Sequence, residues 1–153
     1  MPDSAGCFII ETVTTTKNPT MDEATAERLS ARFGSVFETF DPGDLFAPEA
    51  FFDLNMPVWR FQLVGAAAFT AQLKKIAKGR VTLEVLRTVP TVSGFVHEHE
   101  ERQEVDGEVY SARRLWLCEV RDGRIAEVVG YCSGEWDEAL RARHAIEAPM
   151  LRR

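Results

Sequence analysis

The hydrophobic pattern of this 153-residue chain changes at Arg80, and that change limits the fold more than any other feature. From there on, apolar and polar residues alternate with a period of two, which is typical of strands with one buried face. "RVTLEVLRTV" is the first such segment, and the longer "SGFVHEHEERQEV" and "EVYSARRLWLCEV" are joined by Asp106-Gly107. That dipeptide is typical of two-residue hairpin turns. A further turn, Arg121 to Gly123, leads into "RIAEVVGYC". The second half of the chain therefore predicts a meander of antiparallel strands.

Helical spacing is found on both sides of this meander. Thr20 and Glu23 predict a capping box, and a helix follows whose apolar face is formed by Leu29, Phe33, Val36, Phe37 and Phe40. A second helix is predicted from about Gly65, and a third in "SGEWDEALRARHAI". Between the first two, "DLFAPEAFFDLNMPVWRF" predicts a turn of helix, a turn at Pro48 and a brief strand through Phe51 and Phe52. Helices with an antiparallel meander indicate an α+β domain.

The acidic balance of the chain argues against a nucleic-acid partner. The formal net charge is −6 and the pI is near 5.1, whereas phosphate binding needs clustered Lys and Arg. The start, "MPDSAGCFII", lacks the basic residues of a signal peptide, and no apolar segment approaches the ~20 residues that span a bilayer. Three cysteines at no zinc or redox spacing fit a reduced, cytoplasmic interior. We expect an N-terminal arm (1–19), one domain (20–146) and a C-terminal tail (147–153), with no membrane partner.

The order of these elements resembles the nuclear transport factor 2-like superfamily, and most of all its SnoaL-like, polyketide cyclase-like branch. The resemblance covers roughly residues 21–140: a long helix, "LFAPEAFFD", a second helix, and a meander with "VRDGRI" and a tyrosine, Tyr131, six residues after its Ile. It implies a cone, in which a strongly curved sheet wraps around helices and a deep pocket opens at one end. Members of the superfamily include ketosteroid isomerases, dehydratases, epoxide hydrolases and cyclases, and also non-catalytic binding and transport domains.

The resemblance also bears on catalysis. Asp53, just after the first predicted strand, lies where many catalytic members keep an acid in the pocket. Many relatives end the last strand with Tyr-Phe-Asp, but this chain has Tyr131, Cys132 and Ser133, so that acid is missing. Asp53 therefore favours an enzyme, and the missing acid favours a non-catalytic member.

The turn at Asp106-Gly107 predicts on which side of the sheet His97 and His99 lie. With this turn, His97 pairs with Trp116 and His99 with Arg114 across the hairpin. One face then combines aromatic, basic and acidic side chains, as a pocket lining does: Phe95, His97, His99, Glu101, Arg114, Trp116, Cys118 and Val120. The other face carries a ladder of charges beside an apolar cluster formed by Val96, Leu115 and Leu117. We expect that face to be the contact surface of a homodimer, because soluble monomers usually avoid exposing such an apolar cluster.

Three interpretations of the two histidines are open. A strand histidine is most often half-exposed or a satisfied hydrogen-bonding group. It can also transfer protons, because its ordinary pKa is near neutral. Metal binding is the third interpretation, since "HEHEERQE" has the His-x-His-x4-Glu spacing of the first cupin motif. The flanking glycines of that motif and a third strand histidine are missing, so we predict no metal and no cofactor.

The sequence therefore predicts a pocket for a small, largely apolar, oxygenated molecule, in a cofactor-independent acid–base enzyme of the isomerase, dehydratase, cyclase or epoxide hydrolase type. Asp53 is the expected base and Arg114 the group that stabilises an oxyanion. His97 or His99 is the expected acid or proton shuttle. His99, nearer the open end, should be neutral beside Arg114 and share its space with Asp53. The expected substrate-binding residues are Trp59, Phe61, Phe95, Glu101, Trp116 and Tyr131. A non-catalytic dimeric module that binds a ligand or a protein is the alternative.

Overall fold

The structure is a computed structural model that describes residues 20–152, which form three helices and six strands. The helices are α1 (Glu23–Thr39), α2 (Ala66–Ile76) and α3 (Glu138–Glu147). The strands are β1 (Phe46–Met56), β2 (Trp59–Val64), β3 (Arg80–Pro90), β4 (Gly94–Val105), β5 (Glu108–Arg121) and β6 (Arg124–Cys132). They form one curved sheet of order β2-β1-β6-β5-β4-β3. The predicted N-terminal arm lies outside the described residues. No helix within residues 20–152 combines the length and the apolar character needed to cross a membrane.

The predicted meander is confirmed together with its register. Asp106 and Gly107 form the turn between β4 and β5 with positive φ angles of 52° and 81°, as a type I′ turn requires. The pairing that follows places His97 opposite Trp116. Residues 122 and 123 join β5 to β6 in the same way, with φ angles of 51° and 75°. Short turns of this kind fix the register, and the register decides which side chains share a face.

The segment before α2 differs from the prediction. Residues 46–56 form one long strand, rather than a turn of helix and a brief strand, with a shift of register between Phe46 and Phe51. Pro48, which cannot donate a backbone hydrogen bond, lies inside that irregular stretch. The strand forms because it has a neighbour on each side, β2 antiparallel and β6 parallel. The predicted antiparallel sheet is thus mixed at the β1–β6 pair, and β2 is a strand that the sequence pattern does not indicate.

Helix α1 begins at a different cap from the predicted one. The side chain of Asp22 accepts a hydrogen bond from the backbone N–H of Thr25 at 2.9 Å, so Asp22 is the N-cap. Glu23 is then the first helical residue, and the predicted capping box with Thr20 is wrong. The helix packs mainly against β3. We call the face of the sheet that α1 and α2 cover the inner face, and the opposite one the outer face.

Aromatic rings fill the space between these helices and the inner face. Phe33 and Phe37 come from α1, Phe69 from α2, Phe52 from β1 and Trp116 from β5, and each is at most 2% exposed. The rings of Phe52 and Phe69 stack with their centroids 4.3 Å apart, and the rings of Phe33 and Trp116 lie 5.5 Å apart. Burial of one large apolar side chain stabilises a protein by about 1.5–3 kcal/mol. This cluster is therefore a main source of the stability of the fold.

Gly130 on β6 makes room for Trp116 in this cluster. A Cβ atom at Gly130 would lie 2.3 Å from a carbon of the indole ring, which is closer than nonbonded atoms approach. We expect Gly130→Ala to lower the free energy of unfolding by about 1–3 kcal/mol, measured by urea denaturation. Gly34→Ala is the matched control, because a Cβ on this buried helical glycine has its nearest neighbour at 3.5 Å. That control should stabilise α1 by up to about 1 kcal/mol. Equal stability of the two variants would contradict the packing described.

Candidate functional site

A row of polar side chains lies on the inner face of β4, among the aromatic rings. His97 and His99 are fully buried, and Glu101 and Gln103 are 4% and 3% exposed. They occupy alternate positions of the strand and therefore share one face. Arg114 of β5 is 3% exposed and lies directly opposite His99. The predicted inward orientation of both histidines is confirmed.

Hydrogen bonds join the histidines to two hydroxyl groups. Oγ of Ser30 lies 2.7 Å from Oγ1 of Thr88 and 2.7 Å from Nδ1 of His97. Nε2 of His97 lies 2.8 Å from Nδ1 of His99. We name this run of four groups the hydroxyl–histidine chain, in the order Thr88, Ser30, His97 and His99. It leads from a half-buried hydroxyl on β3, through α1, to a fully buried imidazole.

Glu101 compensates the buried charge of Arg114. Its Oε1 accepts hydrogen bonds from Nη2 of Arg114 at 3.1 Å and from Nε2 of Gln103 at 2.6 Å. Gln103 in turn accepts a hydrogen bond from the backbone N–H of Lys78. The other carboxylate oxygen, Oε2, lies 4.0 Å from Nε2 of His99, beyond hydrogen-bonding distance. Removal of the charge of Glu101 or of Arg114 would leave the other charge buried and uncompensated, which would strongly destabilise the folded state.

Three buried nitrogen atoms at this site have no hydrogen-bond partner within residues 20–152. They are Nε2 of His99, Nε of Arg114 and Nε1 of Trp116. The residues occupy neighbouring places on the β4–β5 pair, since His99 is opposite Arg114 and His97 is opposite Trp116. A buried polar group without a hydrogen-bond partner lowers the stability of the folded state by about 1–3 kcal/mol. The presence of three such groups close together therefore needs an explanation. The arginine and tryptophan nitrogens are donors only, and the group that satisfies them must be an acceptor.

Burial keeps both histidines uncharged near neutral pH. It lowers the pKa of His97 from 6.5 to about 4. Burial also lowers the pKa of His99 to about 2, with further contributions from His97 and from the positive charge of Arg114. The neutral state predicted for His99 is supported, although burial rather than Arg114 is its main cause.

A small cavity lies at the Glu101–Gln103 end of the polar row. The cavity lined by Glu101 and Gln103 has a volume of about 10 Å³, which is near the lower limit for one water molecule. Its other walls are apolar and are formed by Phe37, Phe40, Leu73, Ile76, Ala77 and Val81. The deep pocket that the resemblance implies is therefore closed in this structure, because phenylalanine rings occupy the interior.

A roomier groove, of about 350 Å³, lies beside β5 and α3 and contains no predicted site residue. Arg113, Arg141 and His144 are among its walls. Both arginines are already engaged: Arg113 pairs with Glu98 at 2.7 Å, and Arg141 donates to the backbone carbonyl of Val109. The inner face, with its unpaired nitrogen atoms, is the stronger candidate site.

Asp53 lies on the outer face, so the prediction that it reaches into the interior is wrong. In β1, Phe52 and Leu54 are buried in the core, and Asp53 between them points the other way. Arg60 of β2 holds its carboxylate, with Nε 2.9 Å from Oδ1 and Nη2 2.6 Å from Oδ2. These hydrogen bonds lower the pKa of Asp53. The sequence predicts Asp53 after a strand, but β1 is longer, so strand alternation decides the direction of its side chain.

The predicted substrate-binding residues divide between the two faces. Phe95 and Trp116 are buried on the inner face, like Glu101, and Phe61 is half-buried against the core. Tyr131 is 50% exposed and pairs with Leu115 on the outer face. Trp59 is 71% exposed at the end of the β1–β2 hairpin. Tyr131 and Trp59 therefore do not join the polar row of β4.

Three residues of the site escape the sequence analysis: Ser30, Thr88 and Gln103. Ser30 does carry a signal, because it is a polar residue on the apolar face of α1. Gln103 carries one as well, since it is the next alternate position after Glu101. Thr88 carries none, because its place opposite His97 depends on a β3–β4 pairing that contains a shift of register.

The nitrogen atoms of the histidine pair are largely occupied by hydrogen bonds. Both ring nitrogens of His97 have partners, and so does Nδ1 of His99. In the described part of the chain, no group of three or more His, Cys, Asp or Glu side chains is arranged to hold a metal ion. The arrangement of the ring nitrogens suits hydrogen bonding and proton transfer.

No protein-family model and no curated protein sequence matches the chain. Solved structures do match it. A nuclear transport factor 2-like protein of unknown function from Mesorhizobium loti is 23% identical with a TM-score of 0.56, over 76% of this chain and 97% of that chain. An epoxide hydrolase from M. tuberculosis is 17% identical with a TM-score of 0.57, over 83% and 98%. A protein from Catenulispora acidiphila with a ketosteroid isomerase-like fold, in complex with trimethylamine, is 11% identical with a TM-score of 0.56, over 67% and 83%. The predicted nuclear transport factor 2-like fold is confirmed.

Burial of neutral histidines should make stability depend on pH. A histidine whose folded pKa is lowered binds fewer protons in the folded than in the unfolded state, so the free energy of unfolding falls as the pH drops below 6.5. For His97 the loss continues to about pH 4 and amounts to at most about 3 kcal/mol. Urea denaturation across this range should show a smaller slope for His97→Gln than for the wild type. His144→Gln on α3 is the control and should keep the wild-type slope. The same slope in His97→Gln as in the wild type would refute the depressed pKa.

Proposed function

We propose that this protein is a cofactor-independent acid–base enzyme of the isomerase, dehydratase, cyclase or epoxide hydrolase type, acting on a small, largely apolar, oxygenated molecule. The observation that carries the proposal is the set of three unpaired nitrogen atoms, on His99, Arg114 and Trp116, buried among aromatic rings. Aromatic walls bind an apolar body, and a few polar groups orient it.

Each of these nitrogen atoms has a role in such a reaction. Nε of Arg114 and Nε1 of Trp116 donate hydrogen bonds to a substrate oxygen and stabilise the negative charge that develops on it. Nε2 of His99 gives a proton to the substrate or takes one from it. A neutral imidazole does either, depending on which ring nitrogen carries the hydrogen. His97 acts as the shuttle behind His99, because their ring nitrogens are 2.8 Å apart.

Access to the site is at the C-terminal ends of α1 and α2. There Phe40, Ile76, Glu101 and Gln103 all line the small cavity. Because its volume is about 10 Å³, a substrate enters by displacing these apolar side chains. Helix ends open at a lower free-energy cost than the interior of a sheet, so this end of the fold is the route.

Proteins of similar fold support this class of reaction. One of them is an epoxide hydrolase, and another holds the small molecule trimethylamine. Asp53 is left out of the mechanism, because it faces away from the polar row and is paired with Arg60. His99 takes over the role of base that the resemblance implies for Asp53.

Trp116→Phe tests the oxygen-binding role, because it removes the indole N–H and keeps an aromatic ring. Small cyclic ketones and epoxides, such as cyclohexenone and cyclohexene oxide, should bind the wild-type protein and shift the NMR signal of the Trp116 indole N–H, which is the signal that the variant lacks. The variant should bind roughly fivefold more weakly, since one hydrogen bond contributes about 1 kcal/mol. Tyr131→Phe on the outer face is the control and should bind like the wild type. The oxygen-binding role of Trp116 would be refuted by equal affinity of the wild type and both variants. A Trp116 indole signal that does not shift when the ligand is added would refute it as well.

A second candidate function, a dimeric binding module, is favoured by the outer face. Leu115 and Leu117 are 38% and 42% exposed there, and Tyr131 is 50% exposed. Leu115 pairs with Tyr131, and Leu117 with Val129. We call these four residues the outer apolar patch. Soluble monomers rarely expose large contiguous apolar patches. We propose that a second copy of the chain covers the outer apolar patch by a two-fold contact.

Leu117→Glu should separate such a dimer into monomers, because it places a charge in the centre of the outer apolar patch. Light scattering at micromolar concentration is the measurement. Val92→Glu is the control, since Val92 is 58% exposed but lies in the turn between β3 and β4, and this variant should remain dimeric. A wild-type protein that is monomeric at that concentration would exclude the dimer.

A further inference from the structure

In the hydroxyl–histidine chain, each neutral imidazole has one donor and one acceptor nitrogen, and each hydroxyl has one hydrogen to donate and two lone pairs that accept. Its three contacts are 2.7, 2.7 and 2.8 Å long, so each holds one hydrogen between two heavy atoms. Two hydrogens in one contact would clash, and two lone pairs would repel. Across a neutral imidazole, the direction of one hydrogen bond therefore fixes the direction of the next. At Ser30, donation to His97 requires that the contact with Thr88 be donated by Thr88.

For the two neutral histidines, only two arrangements satisfy this rule. In the inward arrangement every hydrogen points towards His99: Thr88 donates to Ser30, Ser30 to Nδ1 of His97, and Nε2 of His97 to Nδ1 of His99. His99 then carries its own hydrogen on Nε2 and is a donor there. In the outward arrangement both histidine contacts are reversed, so that Nδ1 of His97 donates to Ser30 and the Ser30 hydroxyl is free to donate to Thr88. Nε2 of His99 then has a free lone pair and is an acceptor.

We propose that the hydroxyl–histidine chain is a proton relay, in which one concerted shift of hydrogens decides whether Nε2 of His99 is an acid or a base. Its use in turnover rests on the proposed enzyme function, but the coupling itself is a property of the protein without substrate. Ser30 and Thr88 are positioning residues in this scheme, because they touch the histidines and not the substrate.

The relay moves one proton without forming a positively charged imidazolium in the interior. When Nε2 of His99 gives its proton to a substrate oxygen, the hydrogen on Nε2 of His97 moves to Nδ1 of His99. The hydroxyl hydrogen of Ser30 moves to Nδ1 of His97, that of Thr88 moves to Ser30, and water supplies one proton to Thr88. The reverse sequence carries one proton from the substrate to water. Burial lowers the pKa values of His97 and His99 to about 4 and about 2, so an imidazolium intermediate is disfavoured and the neutral route is preferred.

The charged side chains beside His99 bear on which of the two arrangements is the resting state. Oε2 of Glu101 lies 4.0 Å from Nε2 of His99, and a carboxylate oxygen accepts but does not donate hydrogen bonds. The other neighbour, Arg114, is a donor whose Nη2 is bonded to Glu101 and whose Nε has no partner within residues 20–152. α1 contributes Phe33 and Phe37 against the two imidazole rings, and neither is charged. In the proposed relay the inward arrangement is the resting state, because it places a hydrogen rather than a lone pair of His99 Nε2 near the carboxylate of Glu101.

NMR of protein labelled in its histidine nitrogens tests the relay, because the nitrogen chemical shifts report which ring atom carries the hydrogen. In the wild type, His97 and His99 should both carry it on Nε2. Glu101→Gln should move it to Nδ1 in both rings, since the amide oxygen keeps the bonds from Arg114 and Gln103 and the NH₂ group faces His99. Adding Thr88→Val should return both rings towards Nε2, because the Ser30 hydroxyl then has no acceptor on β3.

Thr70→Val is the matched control, since the buried hydroxyl of Thr70 bonds only to carbonyl groups of its own helix, α2. It should leave both histidines unchanged. A Glu101→Gln variant in which His99 changes and His97 does not would overturn the relay. If that variant failed to fold, the wild type alone still decides, because hydrogens on Nδ1 of one ring and Nε2 of the other contradict the coupling. No ligand is needed, so failure of the relay and failure of the proposed enzyme function are separate results.

Discussion

The pairing of β4 with β5 decides what lies inside this protein. A slip of one residue would turn His97 and His99 out to the outer face and carry Glu98 and Glu100 into the aromatic core. Two carboxylates would then be buried, which is unfavourable unless each is paired. The positive φ angles at residues 106–107 fix the register at one end. Trp116 fixes it in the middle, because its ring fits over Gly130 and among the phenylalanines.

The polar groups on the inner face are stabilised from two directions. One side of the row is satisfied through Ser30 and Thr88, and the other through Glu101, Gln103 and the backbone of Lys78. A network that served only to hold the fold would be expected to pair every member. Here the unpaired nitrogen atoms lie together where the two directions meet, at His99 and its cross-strand neighbours. That concentration is the physical reason to regard the row as a site.

The sheet also separates two surfaces with different chemistry. The inner face combines buried polar groups with aromatic rings and suits a small molecule. The outer face carries the outer apolar patch, and the Asp53–Arg60 pair lies next to it, since Asp53 pairs with Val129 on β6. An acid that the resemblance implies for the pocket thus borders the patch where we propose a contact between subunits. A shared fold conserves the framework, while the identity of the side chains on each face sets the function.

The sequence by itself determined the features that depend on neighbours along the chain. The turn at residues 106–107 and the alternation after Arg80 were enough to predict the hairpin and the face that His97 shares with His99 and Glu101, because strand parity is a local property. The mixture of aromatic and polar residues on that face predicted that it points inward. Tertiary structure alone decided the course of β1, which forms between β2 and β6 in spite of Pro48, and with it the outward direction of Asp53. It also decided the contact of Ser30 with His97, which are 67 positions apart in the chain. No local pattern encodes such contacts, since they exist only once the helix packs onto the sheet.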